Sequence, residues 1–272
     1  MSPIITGLIG HPVAHSKSPR IHGYWHRRYS IAEEYRLFDI APEKLGIEIA
    51  GLKALGLRGF NVTVPHKITI MKFLDAVDTA AQKIGAVNTV IARDGQWLGS
   101  NTDAYGFITH LAHTLGNLAP YLPRVLILGA GGAARAAMVA LMEAGAGEIT
   151  ITNRTHASAE ALARACGARA VPWDRREAAL AGITLLVNTT SLGMQGKEPL
   201  ALDLQHLPPE AAVYDIVYAP LETALLRQAS ARGNPVVGGL GMLLYQAQRA
   251  FFLWHGITPE VDAALQQEVL AP

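Results

Sequence analysis

The sequence predicts an α/β fold: an N-terminal α/β domain, then a doubly wound parallel sheet, then C-terminal helices that return to the first domain. Three observations predict it. Strand-like and helix-like stretches alternate from end to end, the order that builds sheets covered by helices. The stretch "GAGGAARAA" (129–137) joins an apolar strand to a helix through small residues. The loop "NLAPYLPR" (117–124) sets two prolines before that strand and is the best boundary signal in the chain. The domains are assigned to residues 1–103, 104–238 and 239–272. No internal repeat or low-complexity segment interrupts them.

In order, residues 4–9 read as a strand stopped by Gly10 and Pro12. "SPRIHGYWHRRY" reads as a helix with Ser18 as N-cap and Pro19 at the first helical position, where its missing N–H costs nothing. "YRLFDI" (35–40) is the next strand and "APEKLGIEIAGLKALG" (41–56) the next helix. Val62, Thr63 and Val64 alternate as a strand, and Pro65 is expected to open a helix through "HKITIMKFLDAV", with Lys67 in its first turn. "GAVNTVIARDGQWLGSNTD" (85–103) reads as a hairpin turning at Asp94-Gly95. A helix from about Ala104 to Leu115 follows, closed by Gly116. Beyond the prolines come strand "VLILG", the Gly-rich turn, a helix, strand "EITITNR", helix "ASAEALARAC", and strands "LLVNTT" and "AVYDIVY". After Gly238-Gly239 the chain makes one or two helices, "GMLLYQAQRAFFLWHG" and "PEVDAALQQEV".

Composition narrows the function. The 272 residues, 50% hydrophobic and 17% charged, suffice for one or two buried cores. A formal net charge of +1 with no run of five like charges leaves no electrostatic footprint for nucleic acid or an anionic membrane, so a small-molecule partner is expected. The single cysteine, Cys166, excludes an intrachain disulfide and suits a reducing compartment. The N-terminus lacks a basic n-region, and the apolar stretch 125–142 is interrupted by Arg135 and closed by Glu143. A cytoplasmic protein is expected.

In "GAGGAARAA", Gly129 and Gly131 match the first two glycines of a dinucleotide fingerprint and Ala134 the third, with a pyrophosphate expected at the helix N-terminus. The plain alternative is a tight turn with no ligand. The next strand ends in Asn153, Arg154 and Thr155, a cation with no carboxylate, which favours the 2′-phosphate of NADP over the ribose hydroxyl of NAD. A carbonyl reduction also needs a proton donor. Lys67 is the best candidate: at a helix N-terminus the macrodipole opposes its ammonium by roughly 0.3–1 kcal/mol, although a surface lysine in water fits the stretch too. Asp103 reads as an N-cap that can also serve catalysis. Ser16 and Ser18 offer hydroxyls beside a helix N-terminus, suited to a substrate carboxylate. His22 and His26 have i, i+4 spacing, but Gly23 stands where a zinc protease has its glutamate, and no cysteine or carboxylate cluster completes a site, so no metal is expected. "NTTSLGM" (188–194) lacks the glycine of a nucleophile elbow.

Taken in order, "GHPVAHSKSP" (10–19), "NVTVPHK" (61–67), "GAVNT" (85–89), "NTD" (101–103), "GAGGAAR" (129–135), "NRT" (153–155), "NTTSLGM", "YDIVYAP" (214–220) and "GLGMLLYQA" (239–247) resemble the shikimate dehydrogenase family across essentially the whole chain. The resemblance implies a substrate domain, a Rossmann-type domain, and reversible NADP-dependent reduction of 3-dehydroshikimate to shikimate in aromatic amino acid biosynthesis, by a monomer or homodimer. It implies Lys67 as acid/base with Asp103 as partner. Ser16, Ser18, Thr63, Asn88, Tyr218 and Gln246 would bind substrate. Gly129, Ala130, Gly131, Gly132, Ala133, Asn153, Arg154, Thr155, Ile216 and Gly239 would bind cofactor. The chain departs from the family pattern at His11 (usually Asn), Ala104 (usually Gly), Gly238 (often Asp) and Ser158 (often a second basic residue). The alternatives are a quinate/shikimate dehydrogenase preferring NAD, which a carboxylate before Glu160 would favour, and a non-catalytic dinucleotide sensor, which loss of Lys67 or Asp103 would favour.

Overall fold

The computed structural model describes residues 4–271. The chain forms two compact units, one running to Thr102 and resuming at Leu244, the other Asp103–Leu243. The first contains β1 (Ile4–Gly10), α1 (Ser18–Arg28), β2 (Glu33–Asp39), α2 (Leu45–Ala54), β3 (Gly59–Val62), β4 (Ala76–Val77), α3 (Thr79–Ile84), β5 (Thr89–Arg93) and β6 (Gln96–Ser100). Its sheet has the order β2-β1-β3-β5-β6-β4. β1 is parallel to β2 and β3, whereas β5 is antiparallel to β3 and β6. From Ile5 to Gly10 β1 is buried without alternation, as expected of a strand covered on both faces. Ile9, Phe60, Val62, Ile70, Val90 and Trp97 share one core. The hairpin turns where expected, with positive φ at Asp94 (52°) and Gly95 (77°), the conformation an Asp-Gly turn supplies.

Three local expectations fail here. β3 ends at Val62, because Val64 points into solvent (68% exposed) and the strand register is finished by Thr63 N–H donating to Ile9 O at 2.9 Å. No α-helix starts at Pro65: residues 64–68 form turns, Thr69–Phe73 a 3-10 helix, and Ala76–Val77 a strand. Of its apolar residues Ile70 is fully buried while Ile68 is 59% exposed, so no helical stripe is rewarded by packing. The dipole argument for Lys67 therefore has no helix behind it. Ser18 is the first residue of α1 and Lys17 holds the cap position; the hydroxyl that receives the Ser18 N–H is that of Ser16, at 3.2 Å.

The second unit contains α4 (Asp103–Leu115), β7 (Arg124–Leu128), α5 (Gly132–Glu143), β8 (Glu148–Thr152), α6 (His156–Cys166), β9 (Arg169–Val171), β10 (Leu185–Asn188), β11 (Ala212–Asp215), α7 (Ala224–Ala231), β12 (Val236–Val237) and the start of α8 (Leu240–His255). Its strands are all parallel in the order β12-β11-β10-β7-β8-β9. Counted from β7, that is the doubly wound 3-2-1-4-5-6 arrangement. Asp103 is the first helical residue of α4, where a residue ahead of the helix was expected. α4 packs on α5, so the two-proline loop 117–124 lies inside this unit and the units part earlier, at Thr102.

The rest of α8 and α9 (Ala263–Leu270) belong to the first unit. Ala250 and Trp254 cover Leu8, Val13 and Tyr35, and Trp254 Nε1 donates to Val90 O at 2.9 Å. α9 lies against α1, and Trp25 Nε1 donates to Glu260 O at 3.0 Å. Among the described residues no helix is long and apolar enough to cross a membrane.

Candidate functional site

In the first unit three of the predicted substrate residues, Ser18, Asn88 and Gln246, lie on a chain of hydrogen bonds. Ser18 is hydrogen-bonded to the Tyr35 hydroxyl, and Tyr35 donates to Asn61 Oδ1 at 2.8 Å. Asn61 Nδ2 donates to Asn88 O (3.2 Å) and Thr89 Oγ1 (3.1 Å). Asn88 Oδ1 accepts the Thr102 N–H (2.7 Å) and the Thr89 hydroxyl (2.9 Å), while Asn88 Nδ2 donates to Thr102 Oγ1 (3.0 Å) and Gln246 Oε1 (3.4 Å). Ser18, Asn88 and Gln246 are thus tied together. Sequence reasoning missed Tyr35, Asn61, Thr89 and Thr102; only Asn61 carried a signal, a polar side chain between the apolar Phe60 and Val62 inside β3. Burial also pushes the Tyr35 hydroxyl far above its ordinary value, so it stays a neutral donor.

Thr63 and Lys67 share the turn after β3. His66, buried between them, fixes it: its N–H donates to Thr63 O (2.9 Å) and its Nε2 bonds to Ile40 O (2.6 Å). Lys67 O accepts the Val87 N–H at 2.8 Å, so the half-buried Lys67 is displayed from a pinned backbone without a helix. Ser16 is half-buried in the loop before α1. Lys67 belongs to the first unit, whereas Asp103, buried, opens the second.

In the second unit the predicted cofactor residues lie just beyond the carboxyl ends of β7, β8, β11 and β12, the end of a doubly wound sheet where ligands bind. Gly129 has φ +107°, its N–H donates to Thr152 O (2.8 Å), and a Cβ there would stand 2.6 Å from Thr189 Oγ1. Gly131 is exposed, extended, and caps α5 with no side-chain oxygen; the first turn of α5, Gly132 and Ala133 included, carries no acid. The first N–H groups of α5 therefore face an open turn, 129–131, which is what a pyrophosphate requires. Ala130 is half-buried. Asn153 Nδ2 donates to Thr155 O (3.0 Å), folding the "NRT" turn with Arg154 and Thr155 exposed and no acid in the first turn of α6. Glu160, the first carboxylate beyond, faces His156 (3.5 Å) and Arg164 (3.9 Å).

Ile216 N–H donates to Asn188 O (3.1 Å), and Gly239 N–H to Val217 O (3.2 Å). Any Cβ on Gly239 would collide with the Ile216 carbonyl, so these two backbones touch because one is glycine. Beneath them the Asp215 carboxylate accepts Asn188 Nδ2 (2.9 Å), the Thr223 hydroxyl (2.7 Å) and the Val217 N–H (3.1 Å). Burial pushes Asp215 up against the pull of those three donors. Sequence reasoning missed Asn188, Asp215 and Thr223. Tyr218 is half-buried, with its hydroxyl pushed up by desolvation.

Residues 8–90 match the family described as "Shikimate dehydrogenase substrate binding domain", residues 112–217 "Shikimate / quinate 5-dehydrogenase", and residues 239–267 "Shikimate 5'-dehydrogenase C-terminal domain". The chain is 49% identical over 273 residues to the shikimate dehydrogenase (NADP(+)) of Rhodospirillum rubrum, covering 98% of this chain and 96% of that one. It is 50% identical over 270 residues to the protein of the same name from Methylobacterium radiotolerans, covering 97% and 95%. Among solved structures, shikimate 5-dehydrogenase from Thermus thermophilus in complex with NADP(H) and shikimate superposes with a TM-score of 0.88 at 38% identity, over 98% of each chain.

Proposed function

The chain belongs to the shikimate dehydrogenase family, and from that premise we propose that it catalyses the reversible NADP-dependent reduction of 3-dehydroshikimate to shikimate. The observation that carries the cofactor half of this reading is the open 129–131 turn at the N-terminus of α5, beside an exposed Arg154 with no acidic residue in the first turn of α6. These residues fit NADP: a backbone cradle for the pyrophosphate and a guanidinium for the 2′-phosphate. The bound cofactor supplies the hydride.

The chain's own residues do the rest. Backbone N–H groups of Gly129 to Ala133 would hold the pyrophosphate and Asn153 to Thr155 the 2′-phosphate, and Ile216 and Gly239 would contact the cofactor. Hydroxyls of Ser16 and Ser18 hold the substrate carboxylate, while Thr63, Asn88, Tyr218 and Gln246 orient the ring. Lys67 Nζ gives its proton to the carbonyl oxygen as negative charge develops there, and takes it back in the oxidative direction; Asp103 orients the ammonium. In this reading residues 1–103 bind substrate, 104–238 bind NADP and 239–272 complete the substrate domain, in a cytoplasmic monomer or homodimer. The purified protein, offered shikimate or quinate with NADP or NAD and followed at the nicotinamide absorbance, is expected to turn over shikimate with NADP fastest. Faster turnover of quinate with NAD, or none with shikimate, overturns the assignment.

A further inference from the structure

Away from those residues, three side chains of the first unit converge. His26 lies on α1, Glu33 opens β2 and His255 ends α8, and one ligand atom from each lies within 4.8 Å of the other two. His26 Nε2, Glu33 Oε2 and His255 Nε2 are all buried and have no hydrogen-bond partner among the described residues. Glu33 and His255 have side chains only 4% and 5% exposed, with Oε2 and Nε2 3.8 Å apart. Native proteins leave few buried polar atoms unpaired, and three orphans aimed at one point call for a common partner.

We propose that His26, Glu33 and His255 bind a divalent transition-metal ion, zinc foremost. Two imidazoles and a carboxylate are a donor set that zinc and its first-row neighbours accept. Ligand atoms at about 2.0–2.2 Å from a tetrahedral zinc stand roughly 3.3 Å apart, so the Glu33–His255 pair closes by about half an ångström on binding. The surroundings already orient the ligands, as outer partners do in metal sites. Arg58 Nε donates to Glu33 Oε1 at 2.7 Å, turning the other oxygen inward. His26 makes a hydrogen bond with the Glu33 backbone, which leaves Nε2 for the ion. Phe251 packs against both imidazoles, at 5.8 Å from His26 and 4.3 Å from His255 between ring centroids, and keeps that side dry. His26 and Glu33 also form part of the wall of a surface cleft of about 510 Å³, a route for the ion and for a water as fourth ligand. The Arg58 charge opposes a second cation, so the affinity is expected in the micromolar range. His22, the i, i+4 neighbour on α1, takes no part: its ring is stacked on Tyr35 at 4.3 Å. The bound ion would pin α1, β2 and α8 together.

The test uses the full chain stripped of metal with a chelator. Titration with zinc chloride is expected to give one ion per chain with Kd below about 10 μM, and zinc at about 100 times Kd is expected to raise Tm by about 5 °C. Glu33→Gln and His255→Gln should each weaken uptake roughly 100-fold. X-ray absorption at the zinc edge of the wild-type complex, which does not depend on how the variants fold, should count two imidazoles. No stoichiometric uptake, uptake undiminished in both variants, or a wild-type spectrum without two imidazoles overturns the site.

Discussion

Tyr35→Phe removes one oxygen from the buried chain that runs from Ser18 to Gln246. Tyr35 is 8% exposed and its hydroxyl donates to Asn61 Oδ1 at 2.8 Å. The phenyl ring fills the same space, so no cavity forms, but Asn61 Oδ1 loses this donor. A buried acceptor left unpaired costs about 1–3 kcal/mol, and the lighter desolvation of Phe offsets part of that, so a net loss of about 1–2 kcal/mol is expected. Urea unfolding should show it as a lower midpoint at unchanged m-value. Because Asn61 also holds Asn88 O and Thr89 Oγ1, the amide of Asn88 should lose alignment, and KM for shikimate should rise about threefold with kcat nearly constant. A double-mutant cycle with Asn61→Ala should return a coupling energy near 1 kcal/mol. A destabilisation under about 0.5 kcal/mol together with no coupling and an unchanged KM would refute the chain as a positioning device.

Lys67→Ala should lower kcat by roughly 10²–10⁴ while KM for shikimate changes far less; retention of more than about a tenth of the activity contradicts its acid/base role. Arg154→Ala should erase most of an expected 10–100-fold preference for NADP, a contact of about 1.5–3 kcal/mol, with NAD-dependent turnover nearly unaltered in side-by-side kinetics. Burial holds His110 down to about 4, and its ring meets the Tyr214 hydroxyl at 3.1 Å. The unfolded chain therefore binds this proton first, so its contribution is complete above about pH 6.5 and is lost as the pH falls toward 4. Allowing for its partial exposure, about 1–2 kcal/mol is at stake; His110→Gln should flatten the stability profile between pH 6.5 and 4, and a profile unchanged by the substitution counts against the buried neutral ring.

The second unit was the more legible of the two. Its central strands β7 and β10 carry continuous apolar runs (125–128 and 185–187), and its turn demands glycine at 129, where φ is +107° and Thr189 crowds the Cα; composition and conformation say the same thing there. The Pro65 segment was misread because a proline after a β-branched run satisfies the local rule for a helix start, while what decides is whether a stripe packs, and only Ile70 is fully buried. α3 went unread although Asp78 caps it, accepting from Ala81 N–H at 2.8 Å, and Gly85 closes it at φ +70°. The polar partners were harder still. Asn88 was reached through a motif, but its bonds to Thr102 and Gln246 span 14 and 158 residues, and no periodicity encodes a contact that the fold alone creates. The grouping of His26, Glu33 and His255 is illegible in the sequence for the same reason, since the three residues sit on α1, β2 and α8.

The split of the first unit around the second sets an order on synthesis. Asp103–Leu243 is one uninterrupted segment and has all its strands once Val237 has emerged from the ribosome, whereas the first unit lacks α8 and α9 until residues 240–270 are made. Domains fold as units during elongation. Through the making of the whole dinucleotide-type domain, Leu8, Val13 and Tyr35 are without the cover that Ala250 and Trp254 supply. The nascent chain thus carries an uncovered apolar sheet face until Ala250 and Trp254 are made, so the first unit, though it starts first, is completed only after the second.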